Sequence, residues 1–75
     1  MEKLIAILKE MQPNIDFYAH EALVDDRVLK SFDIISLIAL IADEFDVVIP
    51  PNEIVPENFN SAPKMYELIE RLREA

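Results

Sequence analysis

The sequence has no glycine and no cysteine in its 75 residues. Without glycine there can be no Gly-rich phosphate loop, dinucleotide fingerprint or P-loop, and helices must end on Asn, Asp or a following Pro. Without cysteine there is no disulfide and no thiolate zinc site, so packed apolar side chains must supply the stability. Basic residues are also scarce. Seven Lys and Arg stand against fifteen Asp and Glu, for a net charge of −8. The deficit lies in the middle: residues 10–60 hold eleven acids against only Arg27 and Lys30. Such a stretch repels nucleic acid and anionic lipid, and neither is an expected partner. It aids solubility and speeds encounter with proteins that carry basic patches. Long apolar runs are missing as well. The longest uncharged run, Ile34 to Ala42, has nine residues, against the ~20 needed to cross a bilayer. The run Leu4 to Leu8 is too short, and charged on both sides, for a signal peptide. A cytoplasmic protein without membrane insertion is the expectation.

The chain is rich in apolar residues, at 52%. That composition favours a compact core over disorder. The length allows one domain, residues 1–75, with a net stability of only ~3–5 kcal/mol. There are no internal repeats and no linkers.

Residues 2–11 read as a helix, with Leu4, Ile5, Leu8 and Met11 on one stripe and Pro13-Asn14 as the stop. Residues 13–30 have no sustained period. Ile15, Phe17, Leu23, Val28 and Leu29 are scattered through them, which predicts a long loop pinned to the core by a few anchors. A connection this long in a compact domain is often functional. Residues 31–45 form the second helix, with Ser31 as N-cap and Asp33 at the positive end of the dipole. Its apolar residues go nearly all the way round, which marks a helix that is central or touches partners. Asp43, Glu44 and Asp46 cluster at its end. Val47-Val48-Ile49 has the propensity of a short strand, and Pro50-Pro51 stops it. Pro56 opens a short helix holding Phe59. Ser61 caps the last helix, whose stripe is Met65, Leu68, Ile69 and Leu72, with Glu67–Arg71 and Glu70–Arg73 spaced for ion pairs. The predicted fold class is all-α: a small four-helix bundle with three main helices, one short helix and a long first loop.

No nucleophile–base pair is evident, because His20 is the only histidine and there is no Cys. The expectation is therefore not an enzyme. Asp16 and Glu21 near His20 form too poor a set for a metal site, and none is predicted. The hydroxyl of interest is Ser31, with Ser36 as a mid-helix rival that would point outward or bond back to the backbone.

Three stretches together resemble the acyl carrier protein and peptidyl or D-alanyl carrier protein family, over essentially the whole sequence. Ser31-Phe32-Asp33 opens a helix after a loop containing Asp25-Asp26, like the attachment segment in which a serine carries 4'-phosphopantetheine. Asp43-Glu44-Phe45-Asp46-Val47-Val48-Ile49-Pro50 is similar to the family's ending of its second helix. Phe59-Asn60-Ser61 is similar to the start of the final helix in D-alanine carriers and their bacterial relatives. The resemblance implies a bundle of acyl-carrier type. In it, coenzyme A donates 4'-phosphopantetheine to Ser31 through a phosphopantetheinyl transferase, and the thiol of the arm holds an acyl or aminoacyl group as a thioester. A loading ligase and a downstream synthase or transferase would be further partners, and a monomer is implied. Fatty acid, polyketide, nonribosomal peptide and D-alanylation pathways all remain open, with Phe59-Asn60-Ser61 favouring aminoacyl or specialised use. Lys30, Phe32, Asp33, Ile34, Ser36, Asp43 and Glu44 are the expected recognition residues, and Ile41, Ile54 and Phe59 the expected acyl-pocket walls. Lys30 departs from the family's usual Asp before the serine. It should weaken a transferase with a basic docking surface by ~1–3 kcal/mol, and it could pair with an attached phosphate. The alternative is an unmodified carrier-like module for protein–protein interaction.

Overall fold

The computed structural model describes residues 1–74, and among them the architecture is all-helical. From the N-terminus it comprises α1 (Glu2–Met11), α2 (Ser31–Phe45), a 3-10 turn (Pro51–Glu53), α3 (Pro56–Phe59) and α4 (Ala62–Glu74). Helix α1 packs on α2 and α4, and α3 packs on α4. One core joins all of them. It is built from Leu4 and Leu8 of α1, Leu37 and Ile41 of α2, Phe59 of α3 and Met65, Leu68 and Ile69 of α4, closed from the loops by Phe17, Leu23 and Leu29. No helix among the described residues is long and apolar enough to cross a membrane.

The helix ends follow from local chemistry. Ser61 caps α4, its Oγ accepting from Lys64 N–H at 3.2 Å. Pro56 is the first residue of α3, where its missing N–H costs nothing. Asp46 ends α2 in the left-handed region, at φ 55°, a conformation Asp tolerates better than most residues when no glycine is available. The segment after it has no regular secondary structure, with Val47 and Ile49 buried and Val48 83% exposed. This is the alternation of a strand, yet no strand forms among the described residues. A strand needs a partner ladder, and Pro50-Pro51 leads at once into the 3-10 turn.

The loop between α1 and α2 has internal order that the sequence pattern does not announce. Asp26 N–H donates to Ala22 C=O at 2.7 Å, Arg27 N–H to Val24 C=O at 3.0 Å, and Val28 N–H to Leu23 C=O at 2.9 Å. With Arg27 left-handed at φ 61°, these bonds form a Schellman motif closing a single helical turn. Leu23 and Leu29 are buried, and Val28 packs against the core beside them. A non-glycine residue in this conformation costs about 1 kcal/mol. Arg27→Gly should therefore raise stability by up to roughly 0.5 kcal/mol after glycine's own entropy is counted. The change should appear as a higher urea midpoint at unchanged slope.

Surface charges pair differently from the helical spacing. Arg71 reaches across to the 3-10 turn rather than to Glu67, with Nη1 2.6 Å and Nη2 3.3 Å from the two carboxylate oxygens of Glu53. Glu67 pairs with Lys64 at 3.6 Å, and Glu70 accepts from the Tyr66 hydroxyl, which holds that phenol above its ordinary range. A forked guanidinium–carboxylate contact is stronger than an exposed pair along one helix, which is why the tertiary pairing prevails.

Candidate functional site

The site is the junction of loop and α2. Ser31 is the first residue of the helix, not its cap. The cap is Lys30, with an extended backbone at φ −96°, ψ 172°. Lysine has no acceptor for the helix N–H groups, so the junction is held the other way round. Asp33, in the first turn, reaches back and accepts from Lys30 N–H at 3.1 Å, the acidic half of a capping box. The Ser31 side chain is thereby left exposed, and among the described residues its hydroxyl makes no hydrogen bond.

Beside Ser31 opens an apolar cavity of about 370 Å³. Ser31, Ile34, Ile35 and Ile38 form its α2 wall. These positions recur at three- and four-residue spacing, so they share one face. The opposite wall is Val24, Ile54, Val55, Pro56 and Phe59. Among the described residues Ser31 is the only polar one in the lining.

Two polar clamps hold the opposite wall. Asn60 is the first. Its Oδ1 accepts from Val24 N–H at 3.0 Å and Asp25 N–H at 3.1 Å, and its Nδ2 donates to Asp25 Oδ2 at 3.2 Å. Its backbone carbonyl also accepts from Leu23 N–H at 2.8 Å. One residue thus ties the loop before the site to the end of α3. Consecutive residues divide the work: Phe59 fills the core, Asn60 ties the loop and Ser61 caps α4. The second clamp is Glu53. It is held by Arg71 on α4 and by Asn58, whose Nδ2 donates to Glu53 C=O at 2.8 Å and to Oε1 at 3.2 Å. Ile54 and Val55 of the cavity wall follow it directly.

Arg71, mainly by hydrogen bonding to it, holds the Glu53 carboxyl below its ordinary value of 4.5. A lowered folded value means that the contribution of this contact is complete above pH 4.5 and fades as pH falls through the folded value. Glu53→Gln should therefore lower the urea midpoint at neutral pH, and the gap to the native protein should close well below pH 4.5.

The expected site residues divide into groups. Ser31, Ile34, Ile54 and Phe59 come together at the cavity. Ile41 does not join them: it continues the stripe of Ile34 and Ile38 one turn further, where the core has already closed, and it is fully buried. Phe32 is 78% exposed and flanks Ser31, with Ile35 at 67% one turn on. Asp33 is half-buried and spent on the Lys30 backbone, and Ser36 is half-buried mid-helix. Asp43 and Glu44 are exposed at the far end of α2, roughly 18 Å from Ser31 by helix rise. His20 turns toward Asp26, with Nε2 3.2 Å from Oδ2, rather than toward Asp16 or Glu21. No group of three potential metal ligands forms among the described residues. Sequence reasoning missed the structural part played by Asn60, though an Asn placed directly after a core aromatic and before a capping serine was a legible signal.

Comparison with known proteins yields no matching family model, no matching curated protein and no matching solved structure.

Proposed function

We propose that this protein is a carrier whose Ser31 bears 4'-phosphopantetheine and presents an acyl or aminoacyl thioester to partner enzymes. The observation that carries the reading is the exposed, uncommitted hydroxyl at the first residue of a long helix, at the edge of an apolar cavity. The resemblance of the surrounding segments to the carrier family supports it. In loading, Ser31 Oγ forms a bond to the phosphorus of coenzyme A's pantetheine phosphate, the pyrophosphate link breaks and the nucleotide half leaves. The hydroxyl proton passes to a base on the transferase, since among the described residues no side chain hydrogen-bonds to Ser31 Oγ. The resulting phosphodiester sits over the first turn of α2, whose N–H groups and dipole favour an anion. The cavity walls suit an alkyl or apolar aminoacyl group, which could fold back beside Ser31. A loading ligase and a downstream synthase or transferase would then be successive partners.

A second reading is an unmodified interaction module of the same fold, docking through α2. The observation favouring it is the exposure of Phe32 and Ile35, which invites contact whether or not Ser31 is modified. Incubation with coenzyme A and a broad-specificity transferase, followed by intact mass, separates the two. The carrier reading expects the mass of one phosphopantetheine to be added to the native protein. Gain only in Lys30→Asp would favour an impaired relative, and no gain in either would overturn the carrier reading.

A further inference from the structure

Ile49 and Phe59 are both buried, and among the described residues none of 50–58 between them is. Yet this stretch supplies Ile54, Val55 and Pro56 to the cavity wall. Its backbone bonds are local: Glu53 N–H donates to Pro50 C=O at 2.9 Å, Ile54 N–H to Pro51 C=O at 3.1 Å and Asn58 N–H to Val55 C=O at 3.0 Å. Asn58 Nδ2 donates to Glu53 within the same stretch. Pro50, Pro51 and Pro56 fix φ at three points along it. The stretch is a stiff strap, ordered within itself and pinned by buried side chains only at its ends. Among the described residues one polar contact ties it to another helix, the fork of Arg71 on Glu53 at 2.6 and 3.3 Å. The rest of the wall has firmer support: Phe59 is in the core, Val24 is tied by Asn60, and α2 packs on α1.

We infer that Arg71 is a positioning residue for the cavity: its fork on Glu53 latches the strap of residues 50–58 over the apolar group carried on Ser31, and release of the fork opens that wall. This rests on the carrier reading and adds a control on access to its cargo. Arg71 takes no part in the lining, so it acts on the cavity only through Glu53. A stretch with few buried side chains opens at a lower cost than the whole fold. Swinging the strap away uncovers Ile34, Ile35 and Ile38 while Phe59 and the core stay in place. The Arg71 side chain is 56% exposed, so water competes for it and the fork can break without disturbing the core.

The test follows amide hydrogen exchange on the unloaded protein, and thioester lability on protein loaded from octanoyl-coenzyme A by a transferase. Both are read for the native chain, Arg71→Gln and Arg71→Lys. In the native protein Ile54 and Val55 should exchange faster than Leu37 and with little dependence on urea, as a local opening requires. Arg71→Gln should speed that exchange roughly fivefold, as expected for a forked pair at the surface. Hydroxylamine should cleave the octanoyl thioester of Arg71→Gln several-fold faster than that of the native protein. Arg71→Lys, which keeps the charge without the fork, should fall between. Exchange of Ile54 and Val55 only together with Leu37, at the same urea slope, would overturn the latch, as would a thioester cleaved at the native rate in Arg71→Gln. No loading of the native protein would overturn the carrier reading, while the exchange comparison would still decide whether Arg71 latches the strap.

Discussion

Phe59→Ala is expected to leave much of the protein unfolded at room temperature. Phe59 is fully buried, and it serves the core and the cavity wall at once. Truncating a buried Phe to Ala costs ~3–5 kcal/mol, about the whole net stability of a domain this small. The neighbouring Asn60 clamp compounds the loss, because its bonds to Val24 and Asp25 require the end of α3 to stay in place. Far-UV circular dichroism against temperature checks this: the variant should lose the cooperative transition or move it far downward. Phe59→Leu keeps most of the volume and should stay folded, at a cost of roughly 1–2 kcal/mol. A Phe59→Ala variant melting within a few degrees of the native protein would show that this residue contributes little to the core.

Ser31→Ala has the opposite profile, removing the proposed function while leaving the fold intact. The side chain is exposed and makes no hydrogen bond among the described residues, so its removal should change stability by no more than about 0.5 kcal/mol. A serine serving as N-cap would cost ~1 kcal/mol on the same change, which makes the urea midpoint a check on the placement of Lys30 as the cap. Loading by coenzyme A should vanish completely, since a nucleophile cannot be partly replaced, whereas Ser36→Ala should load as the native protein does. Loading that survives Ser31→Ala would move the attachment elsewhere.

The helices were legible because their signals are local. The stripe of Leu4, Ile5 and Leu8, the stop at Pro13, Pro56 at the head of α3 and the Ser61 cap are each decided within a few residues, and α1 and α2 have the predicted bounds. What escaped is decided by tertiary partners. Serine is the better capper by intrinsic preference, yet burial of Leu29 and the return of Asp33 to Lys30 go with a cap at Lys30, one residue before the expected one. Arg27 gives no hint of a left-handed turn, because the residue that usually marks one is glycine. Val47 to Ile49 alternate like a strand because the core takes every second side chain, without a ladder. Arg71 leaves its helical neighbour for a carboxylate eighteen positions away in sequence. The cavity was legible in part: Ile54 and Phe59 line it, while Ile41 shares its periodicity but lies beyond its floor.

The measurement closest to the central claim is fragment mass spectrometry of the native protein after incubation with coenzyme A and a transferase. Proteolysis, followed by sequencing of the modified peptide, locates the added group to a residue. The account predicts one phosphopantetheine on the peptide containing Ser31, attached at that hydroxyl and at no other. An unmodified Ser31 peptide, or the group found at Ser36 or Ser61, would contradict it.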